Sequence, residues 1–241
     1  MKTAKDIDWR TKHVSQVTKD CFIKGKKISA GTACYSPTST IQDSTEVSFP
    51  PPSPTALFLS IAFNNFKSSK PLYNEIIKSC LNDEFTGLFN YFEYTIASII
   101  FSFNALESYA NDKIVEDKYY EKKFKSGIYG ALSSKRIEWL SLDEKIGNVL
   151  PQQLNVKTPK GTVLWEAYIR LRKLRNKIVH VTTKDQNKSN INTGMYPENI
   201  WSDLLQSHDE NYPEISINII LHFEDKNKLP HWLKYNKIKK I

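Results

Sequence analysis

Apolar residues at Phe92, Ile96, Ile99, Ile100, Phe103, Leu106 and Ala110 recur three or four positions apart. That spacing places side chains on one face of an α-helix, and it predicts a long helix from Asn82 to about Val115, with Asn82 or Asp83 as its N-cap. The same period returns at Leu164, Tyr168, Leu171, Leu174, Ile178 and Val181. Gly161-Thr162 supplies a start there and no Gly or Pro follows up to residue 182, so 162–182 is the clearest helix in the chain. Two shorter apolar segments, 56–66 and 72–81, read as separate helices divided by Pro71. Ser141-Leu-Asp-Glu144 matches a capping box and opens a short helix expected to end at Pro151. Another short helix is expected at 198–206, after Pro197. Ile215, Ile217, Ile219 and Leu221 alternate with other residues and predict a strand.

The remaining segments are less regular. Residues 1–54 read as an irregular N-terminal extension, with a hairpin around Gly25 in Cys21–Ala30. It ends in Phe49-Pro-Pro-Pro-Ser-Pro54, where proline's fixed φ and missing N–H break any element. Residues 112–127 are mixed in charge, a frayed helix continuation or a loop. An Asn-rich loop covers 183–194, and 226–241 form a basic tail, partly mobile. The expectation is a mainly α chain in three parts: extension 1–54, antiparallel helical bundle 55–210, and a strand with basic tail at 211–241.

Composition narrows the function classes. Hydrophobic residues make up 40% and aromatic residues 12% of the 241 positions, enough for a packed core. The densest apolar run, Ile96–Leu106, is interrupted by Ser98, Ser102 and Asn104, so no membrane span is expected. The charged start MKTAKDIDWRTKH lacks the apolar stretch of a signal peptide, and Cys21, Cys34 and Cys80 are odd in number without a CxxC. Together these predict a cytoplasmic protein. The five histidines are scattered, with no HxxxH or HExxH, and no GxxxxGK[ST], GxGxxG or GxSxG occurs. No metal or cofactor is expected. The formal net charge of +8 favours a polyanion such as nucleic acid.

The helix 162–182 carries the candidate chemistry. Three of the five arginines (Arg170, Arg172, Arg175) fall within six positions, followed by Asn176, Lys177 and His180. Trp165, Ile169, Arg172, Asn176 and His180 form a second line at helical spacing, apolar at one end and polar at the other. A helix with two differently buried faces suits contact with a second chain, through Trp165 and Ile169. Arg170 and Arg172 suit surface ion pairs or phosphate contacts, and Arg172 and Lys177 are the candidates for RNA phosphates. Upstream, Glu107 and Asn111 are polar residues one turn apart on an otherwise apolar helix. They need partners, for which Arg175, Asn176 and His180 are candidates.

Arg175-Asn176-x-x-x-His180 resembles the signature of the HEPN superfamily (higher eukaryotes and prokaryotes nucleotide-binding domains). Trp165 and Leu171 before it, the entry Ser141-Leu-Asp-Glu-Lys-Ile146, and Phe103-Asn-Ala-Leu-Glu-Ser-Tyr-Ala-Asn111 resemble other segments of that family, in the same order. The resemblance covers about residues 82–182. It implies a HEPN-like bundle and metal-independent RNA cleavage by 2′-OH attack, in a composite site shared by two copies of the chain. In that site His180 transfers protons, Arg175 holds the phosphorane and Asn176 orients one or the other. It also implies a setting in toxin–antitoxin systems or antiviral defence, with an antitoxin or defence partner. Two other readings stay open from the residues alone. One is a non-catalytic HEPN-like module that binds nucleotides or partners. The other is a helical interaction protein in which RNxxxH is coincidental.

Overall fold

A computed structural model describes residues 3–23, 25–81, 84–124, 126–181 and 199–235. The chain is mainly α and divides into two compact units, Met1–Ser60 with Glu224–Ile241, and Ile61–Phe223.

Among the described residues the first unit holds three antiparallel two-stranded ladders. They are β1 (Ser15–Gln16) with β4 (Ala33–Cys34), β2 (Cys21–Ile23) with β3 (Lys26–Ile28), and β5 (Thr38–Gln42) with β6 (Thr45–Phe49). The hairpin expected in Cys21–Ala30 is the β2–β3 pair, in register Cys21↔Ile28, with Gly25 at φ +75°. The extension is thus more ordered than its sequence suggests. Its strands are short and mostly exposed, so they carry little of the apolar alternation that marks a half-buried strand. The 226–241 region is likewise not a bare tail. Helix α9 (His231–Lys234, numbering helices in chain order) buries Trp232 and Leu233, and His231 Nε2 lies 3.3 Å from the Asp8 carbonyl.

Residues 56–66 and 72–81 belong to one helix, α1 (Pro54–Leu81), with Pro71 inside it. The proline removes one hydrogen bond, but both Pro71 and Lys67, whose carbonyl loses its donor, are exposed, so water can replace the bond. The division between the two units falls within α1.

In the second unit, α2 (Thr86–Asp112) follows the predicted long helix, buried along Phe92, Ile99, Phe103, Leu106 and Ala110. Asn82 and Asp83 lie outside the described residues, and Phe85 occupies the N-cap. The helix-or-loop segment 112–127 becomes the start of a hairpin instead. β7 (Tyr120–Lys123) pairs with β8 (Tyr129–Leu132) across a turn with Gly127 at φ +83°. Tyr120 and Leu132 face each other and pack with Ile137 of α3 (Ser134–Ile137) and with Val149.

The Ser141 cap forms on α4 (Leu142–Glu144), with the Glu144 amide donating to Ser141 Oγ at 3.3 Å. Glu144's carboxylate does not bond back to the cap. It accepts from Tyr120 Oη and Asn148 Nδ2. Nor does this helix stop at Pro151. A π-helical turn (Lys145–Val149), in which the Leu150 amide reaches the Lys145 carbonyl, leads into α5 (Leu150–Leu154). The wider turn takes up the irregularity that proline imposes on helical bonding.

α6 (Val163–Val179) and α7 (Ile200–Gln206) lie where predicted; the loop 183–194 is outside the described residues. The expected strand at 215–221 is instead a helix, α8 (Tyr212–Phe223). Its buried residues, Tyr212, Pro213, Ser216, Ile217, Ile219, Ile220 and Phe223, recur at helical spacing. Helix α2 packs against α6 and α8, and α6 against α8. Ser216 Oγ donates to the Ser102 carbonyl (2.8 Å), tying α8 to α2 through a buried polar contact.

Candidate functional site

Helix α6 begins where Thr162 caps it, its hydroxyl accepting from the Trp165 amide at 3.3 Å. It is anchored by Tyr168 and Leu171, both fully buried, with Leu164, Leu174 and Ile178 half-buried beside them. The stripe fades toward the C-terminus, where Val179 and Val181 are exposed. His180 is not a helical residue. It is the C-cap, at φ −120° and ψ 59°, with its amide donating to the Asn176 carbonyl at 2.9 Å. The helix predicted to reach 182 thus ends at Val179, and the imidazole leaves from the end of the helix rather than from its side.

Arg175, Asn176 and His180 share this end. Asn176 and His180 are exposed and Arg175 is half-buried. The Arg175 guanidinium carbon stands 4.8 Å from the centroid of the Phe103 ring, and its Nη1 donates to Asn176 Oδ1 at 3.2 Å. Its Nε is buried and finds no acceptor among the described residues. The other two arginines of the helix are neutralised. Arg170 Nε donates to Glu210 at 2.6 Å, and Arg172 pairs with Asp143. Lys177 pairs with Asp203. Arg172 and Lys177, expected to meet RNA phosphates, are therefore already engaged by carboxylates. Among the described residues Arg175 meets no carboxylate.

Asn111 bonds to Lys145 and not to a residue of the motif. Asn111 Oδ1 accepts from Lys145 Nζ at 2.7 Å, and Lys145 Nζ also donates to the Glu138 carbonyl at 2.7 Å. Lys145 is 2% exposed. Burial pulls its pKa below the ordinary lysine value, against the opposing pull of Glu107 and Glu138. Tyr168 Oη donates to Asp143 Oδ1 at 2.5 Å, and burial, with a smaller contribution from the Glu107 charge, pushes the Tyr168 phenol up. The polar groups thus form a knot in two parts, Lys145 with Asn111 and the Glu138 carbonyl, and Asp143 with Tyr168 and Arg172, with the Glu107 charge acting on both Lys145 and Tyr168. Sequence reasoning missed Lys145 and Asp143. Both stand within Ser141–Ile146, where they read as the ordinary charges of a helix start.

Trp165 and Ile169, expected at a dimer interface, are half-buried. Trp165 packs on Tyr168 with ring centroids 5.0 Å apart, and Lys160 Nζ stands 5.8 Å from its own ring centroid. A Cβ added at Gly147 would fall 3.2 Å from its ring. The π turn therefore covers one side of the indole within the chain.

Among the described residues no group of three or more His, Cys, Asp or Glu side chains is placed to hold a metal ion, and no helix is long and apolar enough to cross a membrane. What the α6 terminus offers chemically is a guanidinium that meets no carboxylate among the described residues, an amide bonded to it, and an imidazole open to solvent. Comparison with protein-family models, curated proteins and solved structures gives no match to this chain.

Proposed function

We propose that the chain is a metal-independent endoribonuclease of HEPN type, with Arg175, Asn176 and His180 at its centre. The observation that supports this most is the state of Arg175. It is the arginine of α6 without a carboxylate partner among the described residues, and it is held by an aromatic face and an amide that leave its charge available. In the reaction, His180 takes the proton of a ribose 2′-OH and the 2′-oxygen attacks the adjacent phosphorus. Arg175 stabilises the dianionic phosphorane. His180 of a second copy gives a proton to the departing 5′-oxygen, leaving a 2′,3′-cyclic phosphate and a 5′-OH with no water consumed. The motif holds a single imidazole, so a two-copy site is the natural way to supply base and acid together. By the same resemblance, such an enzyme acts in growth arrest as a toxin, held by an antitoxin, or in antiviral defence.

The decisive assay incubates RNA with the protein in EDTA. Cleavage that persists, ends in cyclic phosphate, spares DNA and is lost in His180→Ala with the fold retained is the expected result. Equal cleavage by His180→Ala refutes the assignment. A non-catalytic nucleotide- or partner-binding module is favoured by one observation: His180 sits off the helix at its cap rather than in line with Arg175. Absence of cleavage alongside tight nucleotide binding selects that reading.

A further inference from the structure

Between Lys118 and Arg136 the chain carries six Lys and Arg residues and a single carboxylate, Glu121. The formal excess of the whole protein is +8, so this one stretch holds more than half of it. It comprises the hairpin β7–β8 and α3. Aromatic residues are interleaved with the cations, and several face solvent. Tyr119 is 66% exposed, Tyr129 64%, and Trp139, just after α3, 90%. The positive charge here is largely uncompensated. Lys118 Nζ donates to the Gln153 carbonyl and Lys122 lies 3.8 Å from Glu144. Lys123, Lys135 and Arg136 have no carboxylate partner among the described residues; Lys123 Nζ stands 5.6 Å from the centroid of the Tyr129 ring.

Beside the hairpin lies an open cleft of about 640 Å³, lined by Lys122, Lys123 and Tyr129 of the hairpin, by Asn148 and Gln152, and by the carboxylates of Glu121 and Glu144, of which Glu144 already faces Lys122. Its floor is the π turn, an irregularity that recurs at binding sites. Cations, exposed rings and hydrogen-bonding side chains therefore meet at one place. Each suits a different part of a single-stranded nucleic acid: phosphates to the lysines, base faces to Tyr129, and base edges to Gln152, while Asn148 is held by Glu144 and Lys160.

We propose that the β7–β8 hairpin and its cleft bind single-stranded RNA apart from the α6 motif, holding the strand on which that motif acts. This rests on RNA being the substrate. The polar cleft favours RNA over an anionic membrane, for which such hydrogen-bonding groups serve no purpose. The two places lie within reach of one strand. Trp165 adjoins the cleft floor at Gly147, and Arg175 is ten residues farther along α6. That is ~15 Å at 1.5 Å per residue.

The test measures anisotropy of a labelled single-stranded RNA with the full-length His180→Ala protein over a range of salt, beside two variants made in that background. Lys123→Ala/Lys135→Ala/Arg136→Ala should lower the slope of log K against log salt by about 2, from ~0.7 per phosphate contact. Tyr129→Ala should weaken binding about five-fold or more. All three side chains of the charge variant, and Tyr129, are exposed, so the fold should survive, as circular dichroism will confirm. Binding by both variants equal to that of the parent overturns the proposal while leaving the nuclease reading intact. Loss of binding to phosphatidylserine vesicles, with RNA affinity unchanged, also overturns it, assigning this face to a membrane. Hairpin-dependent RNA binding in a protein whose unmutated form cuts no RNA sustains the hairpin and sinks the nuclease.

Discussion

Lys145→Met tests whether the buried ammonium organises the junction of α2 and the π turn. Methionine keeps the length and apolar stem and removes the charge and its donors. Two hydrogen bonds of 2.7 Å disappear, to Asn111 Oδ1 and to the Glu138 carbonyl. Bonds from a charged donor contribute about 1.5–3 kcal/mol each, so the gross loss is about 3–6 kcal/mol. Against it stands relief from burying a cation, which here outweighs the attraction of Glu107 and Glu138, since the lysine's pKa falls rather than rises. Both acceptor residues are exposed and can regain water. The expected net destabilisation is therefore about 1–3 kcal/mol, below the gross figure. Urea denaturation measures it, and a double-mutant cycle with Asn111→Ala should give a coupling of ~1 kcal/mol or more.

The direction of the pH dependence is fixed too. Between the lowered folded value and the ordinary 10.5, the unfolded chain holds a proton that the folded chain has released. Stability from this group therefore rises with pH through that window, and the rise should be missing in Lys145→Met. An unchanged or higher denaturation midpoint for Lys145→Met, with no coupling to Asn111, would falsify this account of the knot.

Two further outcomes are expected. Arg175→Lys keeps the charge but loses the planar fork, so RNA cleavage should drop roughly 10- to 100-fold with little change in RNA affinity; a single-turnover assay with full activity excludes that role for the guanidinium. In the first unit, burial lowers the His231 pKa, with the Asp8 carbonyl pulling the other way. The unfolded chain then takes up the proton first, so stability should fall as pH drops below about 6.5. Thermal melts between about pH 7.5 and 5.5 should show that loss, and a His231→Asn protein with an undiminished slope removes this histidine as its source.

How much of this was legible depended on what each residue signalled locally. The two helices that carry the motif and its supporting ring, α2 and α6, stand out because their apolar faces hold a 3.6-residue period over long stretches. α8 was misread for a physical reason. It is apolar nearly all round, so alternation of isoleucines imitates a strand while the buried set follows a helix. The signal that separates the two is Asn211-Tyr-Pro-Glu214, in which the Glu214 amide donates to Asn211 Oδ1 (3.2 Å) and Asn211 Nδ2 donates to Glu214 Oε2 (3.0 Å), with proline in the first turn. Pro71 misled in the opposite sense, because a proline whose freed carbonyl is wet need not end a helix. The motif residues were found from their spacing, but their partners were not. Asn111 is joined to Lys145, a lysine that nothing in the linear pattern marks as buried. An ion pair was one of the two readings open for Arg172, but the carboxylates that take Arg172 and Lys177, Asp143 and Asp203, lie far from them along the chain.

The first unit is discontinuous in sequence: Met1–Ser60 is completed by Glu224–Ile241, and His231 meets Asp8 across 223 residues. During synthesis Met1–Ser60 therefore leaves the ribosome long before Glu224–Ile241 exists, whereas Ile61–Phe223 is whole as soon as it has emerged. A chain broken off after Phe223 would keep its helical unit entire and leave Met1–Ser60 without the segment that completes it.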